Sequence, residues 1–441
     1  MPQKVALHTL GCKLNFSETS TIGNQFLNKG FNIVDFKEDA DIYVFNTCTV
    51  TENAEKECRQ LVRRALRQNP NAYVIVTGCY AQLRPKEISK IDGVDAVLGS
   101  KEKFRLFDIL NNFEKKELSC IHVSPTDELD NFGNAHSTDA DDRTRAYFKI
   151  QDGCDYKCSF CTIPLARGKS RSLQPELVLK EFKELISSGY KEIILTGVNV
   201  GDYGNAFNTD LYNLLQKMVK VEGDFRIRIS SIEPNLLNYN IISLTADNQK
   251  MCNHFHIPLQ SGSPKILQLM QRRYKVQDYS KLISKVSNSI KDVGIGVDVI
   301  VGFPGETKEE FQKTYDFIRE LPVSYLHVFT YSERPDTKAI EMEGTVDVFE
   351  RKQRNSMLRI LSEKKRHQFY ETMIGKKLRV LFEDENCAGI IKGFSSNYVR
   401  VSNEFSDSLA NKFSDVKITK IENDICTGII SENKRKVELV A

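Results

Sequence analysis

Residues 146–161, AYFKIQDGCDYKCSFC, run from a strand-like apolar stretch straight into three cysteines, Cys154, Cys158 and Cys161. The C-x3-C-x2-C spacing puts three thiolates on one loop, enough to hold three irons of a 4Fe–4S cluster while the fourth iron keeps no protein ligand. Zinc is the alternative, but a structural zinc site normally closes with four ligands, and no nearby Cys or His supplies the fourth. Beyond the loop, EIILTG, RIRISS, HFHIPLQ, GVDVIVG and SYLHVF read as strands, separated by helical stretches such as ELVLKEFKELISSGY and KEEFQKTYDFIRELP. Six or so βα units in succession predict an α/β architecture, a partial or complete (βα) barrel.

Upstream the same logic repeats. KVALHTLGC, DIYVFNTC and AYVIVTGC are apolar runs that end on Cys12, Cys48 and Cys79, spaced by 36 and 31 residues, the length of a βα unit. In an open parallel sheet ligands gather outside the carboxyl ends of the strands, so the three cysteines share one edge. Three merely buried cysteines are the plainer alternative; burial of Cys is common, but not at three equivalent strand ends. Between them Ala54, Cys58, Leu61, Val62, Ala65 and Leu66 recur at helical spacing, with Lys56, Arg59, Arg63, Arg64 and Arg67 largely on the other face, an amphipathic helix with a basic outer side.

The polar stretch from Ser124 to Arg145 reads as a linker. A helix is expected from Val348 to Gln368, and from Gly375 onward short alternating strands predict a small β-barrel of about 65 residues. The expected domains are thus 1–123, a linker over 124–145, a barrel over 146–370 and a terminal β-barrel over 371–441. Apolar residues at 40 % and charged residues at 27 % exclude a disordered or fibrous chain. No stretch approaches the roughly 20 apolar residues of a membrane span and no signal peptide is visible, so no membrane partner and a cytoplasmic location are expected. In that reducing compartment eleven cysteines are ligands, catalytic thiols or small core residues rather than disulfides. Cys58, Cys120, Cys252, Cys387 and Cys426 have no such companions and are expected in the core. The net charge of +3 is too mild to dictate a nucleic-acid partner by itself.

GCDYKCSFC resembles the signature of radical S-adenosylmethionine (SAM) enzymes. LGCKLNFSE, FNTCTVT, VTGCYAQ, GCDYKCSFCTIPLARGKSRS, HIPLQSGS and VGFPGET are similar, in that order, to one branch of them, the methylthiotransferases, and the last segment resembles their TRAM domain, a small OB-like β-barrel that binds RNA. The resemblance covers nearly the whole chain. It implies that Cys154, Cys158 and Cys161 hold a 4Fe–4S cluster whose open iron chelates SAM, and that Cys12, Cys48 and Cys79 hold a second, sulfur-delivering 4Fe–4S cluster in an amino-terminal methylthiotransferase domain. Around the barrel mouth it implies SAM contacts from Gly197 and Asn199 in TGVNVGDYG, Glu233 in SSIEP, Gln260 in HIPLQSGS and Gly302 in VGFPGET, although strand-end polar residues are as often plain caps. Asp298, inside an apolar strand, must be hydrogen-bonded if buried.

Within the branch, one group modifies a ribosomal protein, another isopentenyl-adenosine in tRNA and a third threonylcarbamoyl-adenosine in tRNA. TCTVTENAEKECRQLVRRALRQNP, SYLHVFTYSERPDTKA and LTGVNVGDYG resemble the third most; Phe16, where the family usually has Gln, and Thr330, where Pro is frequent, depart from it. The reaction so implied places a methylthio group on C2 of N6-threonylcarbamoyladenosine at position 37 of tRNA, with SAM as both methyl donor and radical source. An electron donor such as flavodoxin or ferredoxin is implied as a partner; the sulfur donor stays open. A single-stranded anticodon loop offers that base edge without opening a duplex. Arg59, Arg63, Arg64 and Arg67, with Lys376, Lys377, Lys392 and Arg400, are candidates for phosphate contacts, against the alternative of solvated faces. The rival from another class is a non-catalytic iron–sulfur RNA-binding protein, which two open-site cysteine trios argue against.

Overall fold

The protein is described by a computed structural model over residues 2–49, 52–110, 112–115, 117–129, 132–136 and 144–431, with backbone alone for 52–55. Val50 and Thr51 of FNTCTVT, the Ala54 side chain, residues 137–143 of the expected linker and residues 432–441 lie outside the described residues.

The amino-terminal sheet is entirely parallel. Its strands β1 (Lys4–Thr9), β2 (Asn32–Val34), β3 (Ile42–Thr47), β4 (Tyr73–Gly78), β5 (Ala96–Leu98) and β6 (Cys120–His122) lie in the order β2-β1-β3-β4-β5-β6. β3 and β4 are buried at every residue because helices cover both faces, which is why they read as continuous rather than alternating apolar runs. On one face the helix α2 (Glu52–Gln68) sets Cys58, Val62 and Ala65 against Tyr43, Phe45 and Val76. On the other α1 (Lys13–Asn28) sets Ile22 and Phe26 against Val5, Val44 and Ile75.

Six parallel strands follow, each at a segment the sequence predicted. Arg145–Lys149, Glu192–Thr196 and Arg226–Ile229 form one three-stranded sheet; His254–His256, Gly294–Val301 and Tyr325–Thr330 form another, and the two meet at the bridge between Ile227 and Met251. Among the described residues the first strand does not pair with the last, so the barrel is partial. Its two edges are covered instead: α1 lies against Arg145–Lys149, and the helix Val348–Glu371 against Tyr325–Thr330, which removes exposed strand edges.

The terminal segment is a closed five-stranded barrel in the order Lys377–Phe382, Ile390–Ser395, Arg400–Glu404, Ile425–Ile430, Phe413–Glu422. A buried charge cluster docks it. Glu192 pairs with both Arg226 and Arg228, and these arginines donate onward to the Phe394, Ser395 and Ser396 carbonyls of the barrel. Burial alone would raise the Glu192 carboxyl, but Arg226 and Arg228 outweigh it and hold it well below the usual carboxylate range.

Two expectations change. Arg145, placed in the linker, is the first residue of its strand, and the described part of 124–145 is a packed strap: Thr126 Oγ1 donates to the Leu165 carbonyl at 2.7 Å, Leu129 and Ala135 are buried, and His136 bridges Phe148. In the described part Ser124 and Asn134 also meet Glu102 and Glu181, so polar side chains there hold the strap to its neighbours. Cys58, Cys252 and Cys426 are core residues, but Cys120, on the edge strand β6, and Cys387, in a hairpin, are only partly buried. Among the described residues no helix is long and apolar enough to cross a membrane.

Candidate active site

Cys12, Cys48 and Cys79 follow the carboxyl ends of β1, β3 and β4, three neighbouring strands of one sheet. The glycines in LGC and TGC make the convergence sterically possible. Gly11, at φ +104°, leaves no room for a side chain: a Cβ there would sit 2.6 Å from Cys48 Cβ and 2.9 Å from its sulfur. Gly78, at φ +98°, would bring a Cβ to 2.3 Å from the Thr47 carbonyl oxygen. Asn15 ties the strand ends together, its amide donating to the Leu10 carbonyl at 2.8 Å and the Thr47 carbonyl at 3.1 Å, while its Oδ1 accepts weakly from the Cys12 thiol at 3.8 Å. Cys48 and Cys79 are buried and Cys12 is exposed.

The second trio sits on a loop closed at its base, where Cys154 N donates to the Gly168 carbonyl at 3.0 Å. Gly153 is needed there, since a Cβ at its φ of +71° would lie 2.0 Å from the Lys169 carbonyl oxygen. The loop is pinned across the barrel mouth by Ser159, whose N–H and hydroxyl donate to the Met270 and Leu269 carbonyls. Arg272 donates to the Cys158 sulfur at 3.2 Å and pairs with Glu233. Burial pushes the Cys161 thiol up to about 12, with Cys158 and Cys154 adding to it; burial likewise takes Cys154 to about 11. Such thiols would become thiolates on binding a metal, their protons being released to solvent.

Between the two centres lies a wall of buried charge. Arg167, which ends the helix Ile163–Arg167 after the cysteine loop, donates from Nε to Cys79 Sγ at 3.3 Å, and from its other nitrogens to Glu18, Asp152 and Asn15. Lys103 and Lys149 complete it, at 2.6 and 3.3 Å from the Glu18 carboxylate. Burial would raise the Glu18 carboxyl, but Arg167, Lys103 and Lys149 hold it well below the usual range. Burial raises the Cys79 thiol, and Arg167 pulls against that.

The strand-end candidates divide. Gln260, itself at φ +67°, lines a cavity of about 250 Å³ with Phe160, Cys161, Asp298 and Tyr331. Asn199 is buried, its N–H donates to Gln151 Oε1 at 2.7 Å, and its side-chain amide lies against the Tyr156 hydroxyl. Glu233 lies beside the loop but is engaged by Arg272. At Gly197 the close approach is that of the Gln151 side chain, 2.8 Å from an added Cβ, and at Gly302 that of the Arg351 stem, at 2.3 Å; both glycines serve packing within the chain. Asp298 accepts from His256 at 2.7 Å and lies 3.4 Å from His327. Burial would raise its carboxyl, and the two imidazoles outweigh that to hold it below the usual range. Of the basic candidates, Arg59 reaches the Tyr80 hydroxyl, while Lys376, Lys377 and Arg400 pair with Asp292, Asp415 and Glu383. A groove of about 1240 Å³ between α1 and the terminal barrel is lined by Phe16, Arg145, Phe394 and Arg400, with Glu383, Asp384 and Glu385 on one lip. It shares Thr9, Phe16 and Arg145 with a hollow at Gly11, Cys12, Lys13 and Tyr147.

Residues 4–99 match the uncharacterized protein family UPF0004 and residues 148–318 the radical SAM superfamily. The chain is 39 % identical to the threonylcarbamoyladenosine tRNA methylthiotransferase of Aquifex aeolicus, over 91 % of this chain and 97 % of that protein. It belongs to the radical SAM methylthiotransferases. It is also 32 % identical, over 94 % of its length and 93 % of the relative's, to the tRNA-2-methylthio-N(6)-dimethylallyladenosine synthase of Clostridium tetani. The fold alone is shared with the radical S-adenosylmethionine methyltransferase TsrM of Kitasatospora setae, at 16 % identity and a TM-score of 0.56 over 77 % of each chain.

A radical SAM methylthiotransferase works with SAM and two 4Fe–4S clusters, and the residues of this one fit those groups. Each cysteine trio offers three thiols, one for each of three irons with the fourth iron left open. The buried amide of Asn199 offers both a donor and an acceptor beside the cysteine loop, as a polar ligand there needs. The residues missed by sequence reading are Asn15, Glu18, Arg167 and Arg272. The first three lay inside quoted motifs, and for Asn15 and Glu18 a charged or amide side chain on the buried face of α1 was the signal available.

Proposed function

We propose that this methylthiotransferase transfers a methylthio group to C2 of N6-threonylcarbamoyladenosine at position 37 of tRNA. The observation that carries the reading is that Arg167, at the end of the helix that follows the Cys154–Cys161 loop, donates to Cys79 of the other trio, in a chain alike over nearly its whole length to enzymes named for that substrate. The identity of 39 % to the Aquifex enzyme against 32 % to the Clostridium one favours threonylcarbamoyladenosine over the dimethylallyl base.

In this reading Cys154, Cys158 and Cys161 hold the radical cluster and Cys12, Cys48 and Cys79 the auxiliary one. When bound, the first supplies the electron that splits SAM into methionine and a 5′-deoxyadenosyl radical, and the second supplies the sulfur. The chain's own residues do the rest. Arg272 orients Cys158 and Glu233 together; Asn199 and Gln260 present polar groups to SAM at the barrel mouth. The groove beside Cys12, with Phe16 and Tyr147 as aromatic surfaces, suits an unpaired RNA loop; its arginines Arg145 and Arg400 are both held by Glu383, which fixes their place on the groove wall. A low-potential donor such as flavodoxin or ferredoxin feeds the radical cluster.

The test is anaerobic turnover with four substrates side by side: tRNA carrying threonylcarbamoyladenosine, tRNA carrying isopentenyladenosine, unmodified tRNA and ribosomal protein. A pocket built for a carboxylate and urea-like groups rejects an analogue lacking them strongly. Preference for any of the other three refutes the substrate assignment.

A further inference from the structure

The charged wall between the two centres holds more positive than negative charge. Arg167, Lys103 and Lys149 stand against Glu18 and Asp152, and all five side chains are at most 9 % exposed. Arg171 adds a fourth cation at the margin, 3.7 Å from Asp152 and 13 % exposed. A surplus buried charge is costly unless an anion meets it. A guanidinium has five N–H groups, and the polar contacts of Arg167 number five. Nη1 meets Glu18 at 2.9 Å and Asp152 at 3.0 Å, Nη2 meets Asn15 at 2.8 Å and Glu18 at 3.1 Å, and Nε meets the Cys79 sulfur at 3.3 Å. Four contacts fix the fork, and the fifth is aimed at the thiol.

We propose that Arg167, carried in by the loop of the radical centre, is a positioning residue of the auxiliary centre: its Nε–H holds the Cys79 thiolate in place, and the surplus positive charge around it raises the reduction potential of the cluster bound there. This rests on the assignment of Cys12, Cys48 and Cys79 to that cluster. Reduction adds one electron to a group already anionic through its thiolates, and hydrogen bonds to sulfur and nearby net charge set such potentials. The auxiliary centre is therefore completed by a residue six positions beyond Cys161, on the other side of the domain boundary, and is not a property of the amino-terminal sheet alone.

The experiment uses the full chain with Cys154, Cys158 and Cys161 changed to Ala, so that reconstitution loads the auxiliary cluster alone. Midpoint potentials are read by dithionite titration with electron paramagnetic resonance, and iron is counted in parallel. Arg167→Gln is expected to make reduction at least tenfold less favourable, 59 mV for a one-electron couple, at unchanged iron. Arg167→Lys, which keeps the charge but not the fork, is expected to fall between. Equal potentials in all three overturn the proposal. Should the variants fail to fold, chain with Arg167 intact and its arginines labelled with nitrogen-15 is reduced, and hyperfine coupling to arginine nitrogen is expected; its absence also overturns it. A chain that loads no iron without the radical-loop thiols overturns the cluster assignment itself, and iron analysis tells that result from the others.

Discussion

Gly11→Ala tests whether the auxiliary centre depends on the close passage of the β1 loop over Cys48. Two costs follow from the geometry. A non-glycine residue at φ +104° carries a backbone strain of about 1–3 kcal/mol. In addition, the new Cβ would lie 2.6 Å from Cys48 Cβ, where carbon atoms rest at about 3.5–4.0 Å, so one of them must move by about 1 Å. Ligand distances tolerate only about 0.2 Å, and Cys48 cannot keep its place. Anaerobically reconstituted protein is expected to fall from about eight irons to about four, with reductive SAM cleavage retained because the second trio is untouched. Gly30→Ala is the control: its φ is +85°, but an added Cβ meets nothing within 4 Å, so it carries the strain without the collision and is expected to keep all its iron. Full iron in Gly11→Ala, or equal losses in both variants, would refute the steric reasoning.

Other outcomes follow from the same contacts. Glu192→Gln leaves Arg226 and Arg228 buried without a counter-charge, a loss of about 3–5 kcal/mol; the apo protein should melt earlier and release its terminal barrel to protease sooner, and an unchanged midpoint contradicts this. Because the folded-state carboxyl of Glu192 lies below its unfolded value of about 4.3, its contribution is present above that pH and is lost as pH falls through the folded value. Pepsin should therefore free the barrel only below about pH 4, and release already at pH 5 counts against the clamp. Cys12→Ala should stop methylthiolation while SAM cleavage stays measurable; equal loss of both in a folded variant would mean the centres are not independent.

Much of this was legible in the chain because the signals are local. A βα unit writes strand, cysteine and helix within about thirty residues, so β1, β3 and β4 and all six barrel strands stood out, as did the alternating strands of the terminal barrel. The short strands β2, β5 and β6, three residues each, were not read, whereas His254–His256, equally short, was, because the longer run HFHIPLQ carries it. Contacts across domains were illegible for a different reason. Arg167 meets Glu18 across 149 residues and Asn15 across 152, and nothing in either neighbourhood names the other. The same holds for the basic candidates, whose acidic partners Asp292, Asp415 and Glu383 become visible only in three dimensions.

The most direct measurement of the central claim is mass spectrometry of tRNA nucleosides from cells with and without this gene. Deletion is expected to remove the 2-methylthio form of threonylcarbamoyladenosine and leave threonylcarbamoyladenosine itself to accumulate, with restoration by the intact gene but not by a Cys12→Ala or Cys161→Ala copy. An unchanged nucleoside profile, or loss of the methylthio group from isopentenyladenosine instead, would contradict it.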